Sequence, residues 1–344
     1  MCGIYGFAKK EGALSVLERF KLRGMVMDLA FQNEERGKDG TGIALLSPSK
    51  WTLFKEAAPS GKLLRTKRFQ GMIREISDKT QICLGHTRLA TIGDVQNKHC
   101  HPFETEHFLG VHNGHFMNRE TLLKKYSKTA ETPVDSEAIF RVLDGESGAK
   151  GMAAKLTEME GDFALGFALK GDPWRLFLIW NNERPLHVAY VPSLTTLFWS
   201  SDHEHLEYAL ARNNLQGSVW AILEDHLYIA DVRNFNSRSR MKKVPCAMKP
   251  YVGLVGAGWG EDDFRCQRPP RFFSFTELQD FGLLDGSGMN ERSKIPCAIC
   301  DAEFPAEELF YDDMSRRFMC EACSFDCSEK DDGKTRDLFQ LSGV

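Results

Sequence analysis

The residue with the clearest potential for chemistry is Cys2, which follows Met1 directly. Removal of Met1, which a small second residue normally allows, would leave Cys2 with both a thiol and a free α-amine. An α-amine titrates near about 7.7 to 8.0 and a thiol near about 8.5, so the pair can exchange a proton near neutral pH. These groups suffice for a nucleophile and its base. The alternative is that Cys2 is a small buried residue beside an apolar strand, because free cysteine is commonly buried.

A second set of reactive residues lies near the other end of the sequence. Two Cys-x-x-Cys pairs are separated by 19 residues, and they comprise Cys297, Cys300, Cys320 and Cys323. This spacing predicts a structural zinc site with four thiolate ligands. Such a small module would need the metal for its stability. The alternative is four unrelated reduced cysteines. Nearby acidic residues favour a protein partner or a purely structural role, and nucleic-acid binding stays open.

Three further positions between these ends carry polar groups suited to binding or catalysis. Arg88 offers a planar fork for a carboxylate, and Asp135 offers a carboxylate for an ammonium group. Asn113 and Gly114 offer an amide and an unobstructed backbone N–H. Each has an ordinary alternative: a surface ion pair for Arg88, a helix N-cap for Asp135 and a tight hairpin turn for Asn113-Gly114.

The elements that must position these residues follow from the hydrophobic pattern. Residues 14–32 have apolar side chains at helical spacing, and short alternating runs predict strands elsewhere. We expect strands first, then helices over residues 119–126, 136–143 and 152–159, then strands with one late helix over 204–212. A hairpin is predicted from Val219 to Ile229. This order indicates a layered α+β fold rather than an alternating parallel sheet.

Length and composition set limits on the function. The chain has 344 residues and a net charge of −4, which argues against a dominant phosphate-binding role for the whole chain. No apolar run approaches the roughly 18 residues needed to span a membrane, and no signal-like start is present, so we expect a cytoplasmic protein. Five of the ten cysteines lie in the last fifty residues, which in a reducing compartment indicates metal rather than disulfides. We predict a main domain over residues 2–234, a linker region over 235–289 and a zinc module over 290–344.

Together, the N-terminal motifs resemble those of the class II glutamine amidotransferases, which are N-terminal-nucleophile (Ntn) hydrolases. The resemblance covers about residues 2 to 230 and implies a four-layer αββα fold. The motifs that carry it after Met1-Cys2-Gly3-Ile4 are Arg36-Gly37-x-Asp39-Gly40-x-Gly42, Gly85-His86-Thr87-Arg88-Leu89-Ala90-Thr91, His101-Pro102, Val111-His112-Asn113-Gly114 and Val134-Asp135-Ser136-Glu137.

The resemblance also implies roles for individual residues. Cys2 would attack the side-chain amide of glutamine, while Asn113 and Gly114 would form the oxyanion hole. Arg88, assisted by Thr91, would bind the α-carboxylate, and Asp135 would bind the α-ammonium group. The chain departs from many relatives at Leu89, where an aromatic residue is frequent, and at Ile92, where some have histidine. Glutamine hydrolysis itself would need no cofactor.

We therefore expect a glutaminase that supplies ammonia to an acceptor. The remaining residues carry no P-loop and no sugar- or nucleotide-binding motif, which suggests an acceptor synthase or synthetase in a separate chain. Two alternatives stay open: an Ntn hydrolase of a different amide, and an inactive scaffold that joins partners. A metal site among the histidines at positions 86–115 is disfavoured because their spacing matches no recognised ligand pattern.

Overall fold

A computed structural model describes residues 2–182, 184–235 and 241–249 in full, together with the backbone of five short strands further along the chain. The chain divides into two units, residues 1–253 and residues 254–344. The first unit contains thirteen described strands. They are β1 (Gly3–Lys9), β2 (Gly40–Ser47), β3 (Lys50–Glu56), β4 (Ile82–Arg88), β5 (Phe103–Glu104), β6 (Phe108–Phe116), β7 (Gly161–Leu169), β8 (Asp172–Trp180), β9 (His187–Val191), β10 (Thr196–Ser200), β11 (Val219–Ala221), β12 (His226–Asp231) and β13 (Lys242–Pro245).

These strands form two antiparallel sheets. The first sheet has seven strands in the order β11-β9-β10-β1-β4-β2-β3, so the N-terminal strand lies in its centre. The second has six strands in the order β13-β12-β8-β7-β6-β5. Because side chains alternate along a strand, each sheet presents one face to the other sheet and one face to helices.

Seven α-helices are described in this unit, and they cover the outer faces of the two sheets. They are α1 (Val16–Gln32), α2 (Ser60–Leu63), α3 (Lys67–Arg74), α4 (Arg119–Lys125), α5 (Asp135–Leu143), α6 (Ala149–Leu156) and α7 (His203–Arg212). Helix α1 begins with a capping box, in which Ser15 and Glu18 exchange side-chain and backbone hydrogen bonds. No helix within the described residues is long and apolar enough to cross a membrane.

The hydrophobic core has three layers that follow the strand alternation. Tyr5 and Phe7 of β1 pack against α1, α2, α3 and α7. Ile4 and Ala8 point the other way, into the layer between the two sheets. A third layer packs the second sheet against α4, α5 and α6. The predicted four-layer αββα arrangement is therefore confirmed.

The predicted hairpin from Val219 to Ile229 is wrong. Strand β11 pairs with β9 in the first sheet, whereas β12 pairs with β8 in the second. Between them, the Ile222 N–H donates to the Leu186 carbonyl and the Asp225 N–H donates to the Trp180 carbonyl. Ile222 is buried between the sheets. The segment therefore crosses from one sheet to the other, because each strand finds its partner on a different layer.

The second sheet extends past residue 234, where we expected the main domain to end. Strand β13 pairs with β12 from Ile229↔Lys242 to His226↔Pro245, and Cys246 and Met248 are buried against the outer helices. The sequence of residues 235–249 is basic and lacks clear periodicity, which hid this edge strand from the pattern analysis.

The second unit contains five short strands. They are β14 (Phe272–Ser274), β15 (Lys294–Pro296), β16 (Glu303–Pro305), β17 (Leu309–Asp312) and β18 (Arg317–Cys320). Strands β15 and β16 pair with each other, and β17 pairs with both β14 and β18. The predicted zinc ligands Cys297, Cys300 and Cys323 lie outside the described residues, and the structure gives only the backbone of Cys320.

Candidate active site

Cys2 lies at the open end of the layer between the sheets, just before β1. Its sulfur accepts a hydrogen bond from the Leu89 N–H at 3.3 Å, and its thiol faces the Leu89 carbonyl oxygen at 3.5 Å. The Arg36 side chain donates to the Cys2 carbonyl at 3.2 Å. The thiol is thus held by backbone groups of the residue that directly follows β4.

Burial raises the pKa of the Cys2 thiol above its ordinary value. The Leu89 N–H and the positive charges of the amino terminus and Arg88 oppose this effect by favouring the thiolate. Since burial is the larger influence, the thiol keeps its proton at neutral pH. A base close to the sulfur is therefore required for attack.

Arg88 organises the segment of residues 88–94, which we call the arginine loop. Its guanidinium donates to the carbonyls of Asp94 at 3.0 Å, Ile92 at 2.7 Å and Gly93 at 3.3 Å. The side chain is only 2% exposed. The alternative of a surface ion pair does not describe Arg88, because the side chain is buried and its donors face backbone carbonyls of its own loop. Carboxylate binding by Arg88 stays a prediction.

Asn113 and Gly114 lie inside β6 rather than in a hairpin turn. Asn113 is 2% exposed, and its amide nitrogen has no hydrogen-bond partner within the described part of the chain. Gly114 has φ +141°, and a Cβ placed there would lie 1.7 Å from the Asp162 carbonyl oxygen. Only glycine fits this position. A buried donor without a partner is costly unless a ligand uses it, which suits the predicted oxyanion role.

Asp135 joins the end of β6 to the start of α5. One carboxylate oxygen accepts the Phe116 N–H at 2.8 Å, and the other accepts the Ser136 N–H at 2.8 Å. These contacts fix the carboxylate in position. The Ser136 hydroxyl also donates to Oδ1 at 3.4 Å, so Oδ2 is the oxygen that retains a further lone pair. Asp135 is the first residue of α5, so it also contributes a favourable negative charge at the helix N-terminus.

Five of the six predicted catalytic and substrate-binding residues line one cleft. The lining residues are Cys2, Arg88, Leu89, Thr91, Ile92, His101, His112, Gly114, Val134, Asp135 and Ser136. Asn113 is not among them, although it is adjacent to Gly114 in β6. Asn113 lies two residues after Val111 in β6, so its side chain is on the same face of the strand as that of Val111, which packs between the sheets. The cleft thus collects residues that are up to 134 positions apart in the sequence.

Three buried histidines form one wall of this region. The rings of His86 and His101 stack with centroids 3.8 Å apart, and His86 Nε2 lies 3.1 Å from the His112 carbonyl oxygen. His112 Nδ1 lies 2.7 Å from the Ser136 hydroxyl. Burial lowers the pKa of His86 to about 3 and that of His112 to about 4, and it lowers the pKa of His101 well below the usual range. All three rings are therefore neutral near pH 7.

The disfavoured histidine metal site gains little support from this arrangement. Within the described residues, the group that could share an ion is Glu106, His107 and Asp144, which includes only one of those histidines. One Asp144 oxygen already accepts hydrogen bonds from the Thr105 hydroxyl and the His107 N–H. This carboxylate therefore shapes the turn before β6.

Sequence reasoning assigned no role to Asp39 or Ser136, although both lay inside quoted motifs. Asp39 contacts the backbone on both sides of Leu89. Ser136 supports Asp135 and His112. The signal for Asp39 was the run Arg36-Gly37-x-Asp39-Gly40, whose glycines indicate a close approach of backbones.

The fold matches that of Ntn-type amidotransferase domains. Residues 1–162, slightly less than half of the chain, match the family model of the class II glutamine amidotransferases. Over 201 residues the chain is 29% identical to the glutamine--fructose-6-phosphate aminotransferase [isomerizing] of Halalkalibacterium halodurans, covering 55% of this chain and 30% of that protein. Over 235 residues it is 28% identical to the 7-cyano-7-deazaguanine synthase of Sulfolobus acidocaldarius, covering 65% of this chain and 49% of that protein.

A solved structure shares the fold. The glutamine phosphoribosylpyrophosphate amidotransferase from B. subtilis superposes with a TM-score of 0.53 at 17% identity, covering 72% of this chain and 50% of that chain. The chain spans about a third to a half of the length of these curated relatives.

Proposed function

We propose that Cys2, once Met1 has been removed, hydrolyses the side-chain amide of L-glutamine and releases ammonia. The observation that carries this proposal is the single cleft that collects Cys2, Arg88, Thr91, Gly114 and Asp135 from separate elements. Each brings a group that the reaction needs: a nucleophile, donors for an oxyanion, and groups for the two charged ends of an amino acid.

The proposed reaction uses the pair of groups on Cys2. The α-amine takes the thiol proton as sulfur attacks the amide carbon, and it then passes that proton to the leaving nitrogen, which departs as ammonia. A thioester remains, and water attacks it to give glutamate and the free thiol. The tetrahedral intermediates carry a negative oxygen, for which the unpartnered Asn113 amide and the Gly114 N–H are suitable donors.

Recognition of glutamine is assigned to the two ends of the amino-acid head. Asp135 is held by two backbone N–H groups, so its carboxylate is already placed for an ammonium group. The Arg88 guanidinium now donates to carbonyls of its own loop. It binds the α-carboxylate of glutamine when that carboxylate is added to these acceptors or takes the place of one of them. The hydroxyl of Thr91 lies in the same loop and would assist.

The fate of the ammonia forms a separate part of the proposal. About a hundred residues follow the domain, and they carry no motif of a synthase or synthetase. We assign the acceptor reaction to a second protein that docks in trans, in the cytoplasm. Co-purification from the native host should recover an ammonia-consuming enzyme. Efficient transfer to an acceptor substrate by this chain alone would contradict the assignment.

A structural zinc ion is proposed for the second unit. In the sequence, Cys297 and Cys300 fall between β15 and β16, and Cys320 ends β18. Four thiolates are a donor set that zinc prefers. Metal analysis of the purified chain should give about one zinc per chain, and Cys297→Ser together with Cys320→Ser should remove it. Full zinc content in that double variant would refute the site.

Labelling with 6-diazo-5-oxo-norleucine, a glutamine-like electrophile, tests the main proposal. Mass spectrometry of the N-terminal peptide should show the adduct on Cys2 and the loss of Met1. Cys2→Ala should abolish both labelling and glutamine hydrolysis, with a fall in kcat of roughly 10⁴-fold or more. A Cys2→Ala variant that retains wild-type behaviour would instead favour the scaffold alternative.

One observation favours a second candidate, an Ntn hydrolase of another amide. Leu89 and Ile92 line the cleft and expose 42% and 38% of their surface, while the Arg88 donors already face carbonyls. An apolar acyl group would suit these side chains. Comparing kcat/KM for glutamine, asparagine and a panel of acylated amines separates the candidates, since a preference of about tenfold or more for an acylated amine would replace glutamine as the substrate.

A further inference from the structure

We infer that Asp39 is a positioning residue that aims the backbone of Leu89 at the Cys2 sulfur. This inference deepens the proposed function and rests on it, because it assigns the control of the nucleophile to a residue outside the cleft. Asp39 lies in the turn between α1 and β2, and it is not among the lining residues.

The argument begins with the two peptide groups that flank Leu89. The first joins Arg88 to Leu89: its carbonyl accepts the Asp39 backbone N–H at 2.8 Å, and its N–H donates to the Cys2 sulfur at 3.3 Å. The second joins Leu89 to Ala90: its N–H donates to the Asp39 carboxylate at 2.8 Å, and its carbonyl faces the Cys2 thiol at 3.5 Å.

A trans peptide points its C=O and its N–H in opposite directions. Each of these peptides therefore has Asp39 on one side and the Cys2 sulfur on the other. The backbone of Asp39 fixes the first peptide, and its side chain fixes the second. Rotation of either peptide would turn a polar group away from the sulfur, so Asp39 determines both contacts that the sulfur makes with Leu89.

Gly37 supports the same arrangement from the next position in the turn. A Cβ on Gly37 would lie 2.4 Å from the Arg88 carbonyl carbon and 2.6 Å from the Leu89 nitrogen. The backbone at Gly37 thus packs directly on the first peptide, and a side chain there would push that peptide aside. The segment of residues 37–39 and the sulfur hold the Leu89 backbone between them.

The consequence concerns the charge state of the sulfur. A hydrogen bond from the Leu89 N–H favours the thiolate over the thiol. The Leu89 carbonyl can only accept a hydrogen bond from the thiol, so it favours the thiol instead. Because the Asp39 side chain holds this second group, losing the side chain should lower the pH at which the thiol ionises. Removing the negative charge of Asp39 while keeping its hydrogen bond should have a smaller effect in the same direction or no effect. The two influences of Asp39 on the sulfur can therefore be separated by their size.

The test compares Asp39→Ala with Asp39→Asn in the full chain. The rate of Cys2 alkylation by iodoacetamide is measured as a function of pH, which needs no substrate. For Asp39→Ala we expect the midpoint to fall by about half to one pH unit, the size expected from releasing one hydrogen bond that favours the thiol. At pH 7 kcat/KM for glutamine should fall about tenfold because the sulfur is less well positioned, with KM changed less than about twofold. Asp39→Asn, whose amide oxygen still accepts the Ala90 N–H, should keep the wild-type midpoint or lower it by clearly less than Asp39→Ala does.

The matched control is Lys38→Ala, which changes an exposed side chain in the same turn. It should leave the alkylation profile unchanged. Where Asp39→Ala does not fold, Asp39→Glu replaces it, because the longer side chain displaces the carboxylate, keeps its charge and should also lower the midpoint. A folded Asp39→Ala with the wild-type midpoint would overturn the inference, as would a downward shift in Asp39→Asn equal to that in Asp39→Ala. A shifted midpoint in a chain that never hydrolyses glutamine would sustain the role of Asp39 and refute the proposed function.

Discussion

The arginine loop and the Asn113-Gly114 segment of β6 meet at the same cleft from different sheets, but they use their polar groups in opposite ways. The loop is satisfied by the protein itself: Arg88 binds three of its carbonyls, and both peptides flanking Leu89 are bound. In the strand, the Asn113 amide nitrogen has no partner within the described residues. The difference teaches that the sulfur is held by the protein itself, whereas one buried donor in the strand is left available, as the proposed oxyanion role requires.

The largest effect expected from this difference is on catalysis by Asn113. Asn113→Ala should lower kcat for glutamine by roughly 10² to 10³, because one oxyanion donor is lost. It should change the free energy of unfolding by less than about 1 kcal/mol, because the amide nitrogen forms no hydrogen bond to lose. Steady-state kinetics and urea unfolding measure the two quantities.

Asn33 provides the matched control, since it is also a fully buried asparagine. Its amide donates to the Leu29 carbonyl at 2.9 Å and to the Ser200 hydroxyl at 3.3 Å. Asn33→Ala should therefore cost about 1 to 3 kcal/mol of stability. If Asn113→Ala destabilises the protein as much as Asn33→Ala while kcat is unchanged, Asn113 is a structural residue and the contrast between loop and strand fails.

The next prediction separates two effects of a side chain at Gly114: backbone strain, which lowers stability, and loss of a catalytic donor, which lowers kcat. Gly114 and Gly161 both have positive φ on neighbouring strands, and a Cβ would lie 1.7 Å and 1.9 Å, respectively, from a carbonyl oxygen of the partner strand. Alanine at either position should cost roughly 1 to 3 kcal/mol or more. Only Gly114 lines the cleft. In the folded fraction, Gly114→Ala should lower kcat more than about tenfold, and Gly161→Ala less than about threefold. Equal losses of kcat in both variants would show that β6 acts through general strain.

The smallest effect concerns the neutral histidines that join the two sides of the cleft. The pKa of His86 is lowered to about 3 and that of His112 to about 4, so the unfolded chain binds more protons between these values and about 6.5. Stability should therefore fall as the pH drops from about 6.5 to about 4, by up to about 1.4 kcal/mol per pH unit for each histidine. Urea unfolding at pH 7, 6 and 5 measures the slope, and His112→Asn should flatten it. An unchanged slope in that variant would show that His112 charges freely in the folded state.

Much of the fold could be predicted because local pattern and tertiary structure agree. Helix α1 ends at Gln32 as expected, and α4 and α5 begin and end within one residue of the helices predicted over residues 119–126 and 136–143. The hairpin prediction for residues 219–229 failed because Glu224 and Asp225 indicate only a turn. The same turn residues occur whether the chain folds back onto its own strand or crosses to the other sheet. Helices α2 and α3 were not predicted, since a four-residue helix and an eight-residue helix carry too few apolar repeats to show a period.

The candidate site could be predicted where a residue's type alone suggests its chemistry. The structure places four such residues, with chemical groups of recognisable use, around one cleft: Cys2, Arg88, Gly114 and Asp135. Asp39 could not be assigned, because its two contacts are to backbone atoms at positions 88 and 90. No property of a side chain at those positions signals such a contact. The neutrality of the three histidines also depends on burial, which appears only when the sheets are packed together.

Both hydrogen-bonding contacts of the Cys2 sulfur are with backbone atoms of Leu89, so they do not depend on which side chain occupies position 89. The Leu89 side chain takes no part in the two contacts with sulfur, and 42% of it is exposed at the cleft. Substitutions at position 89 can therefore alter which acyl group or which partner surface meets the cleft while the nucleophile keeps its setting. Under the proposed function, leucine in place of an aromatic residue at this position would change specificity and leave the two backbone contacts of the sulfur intact.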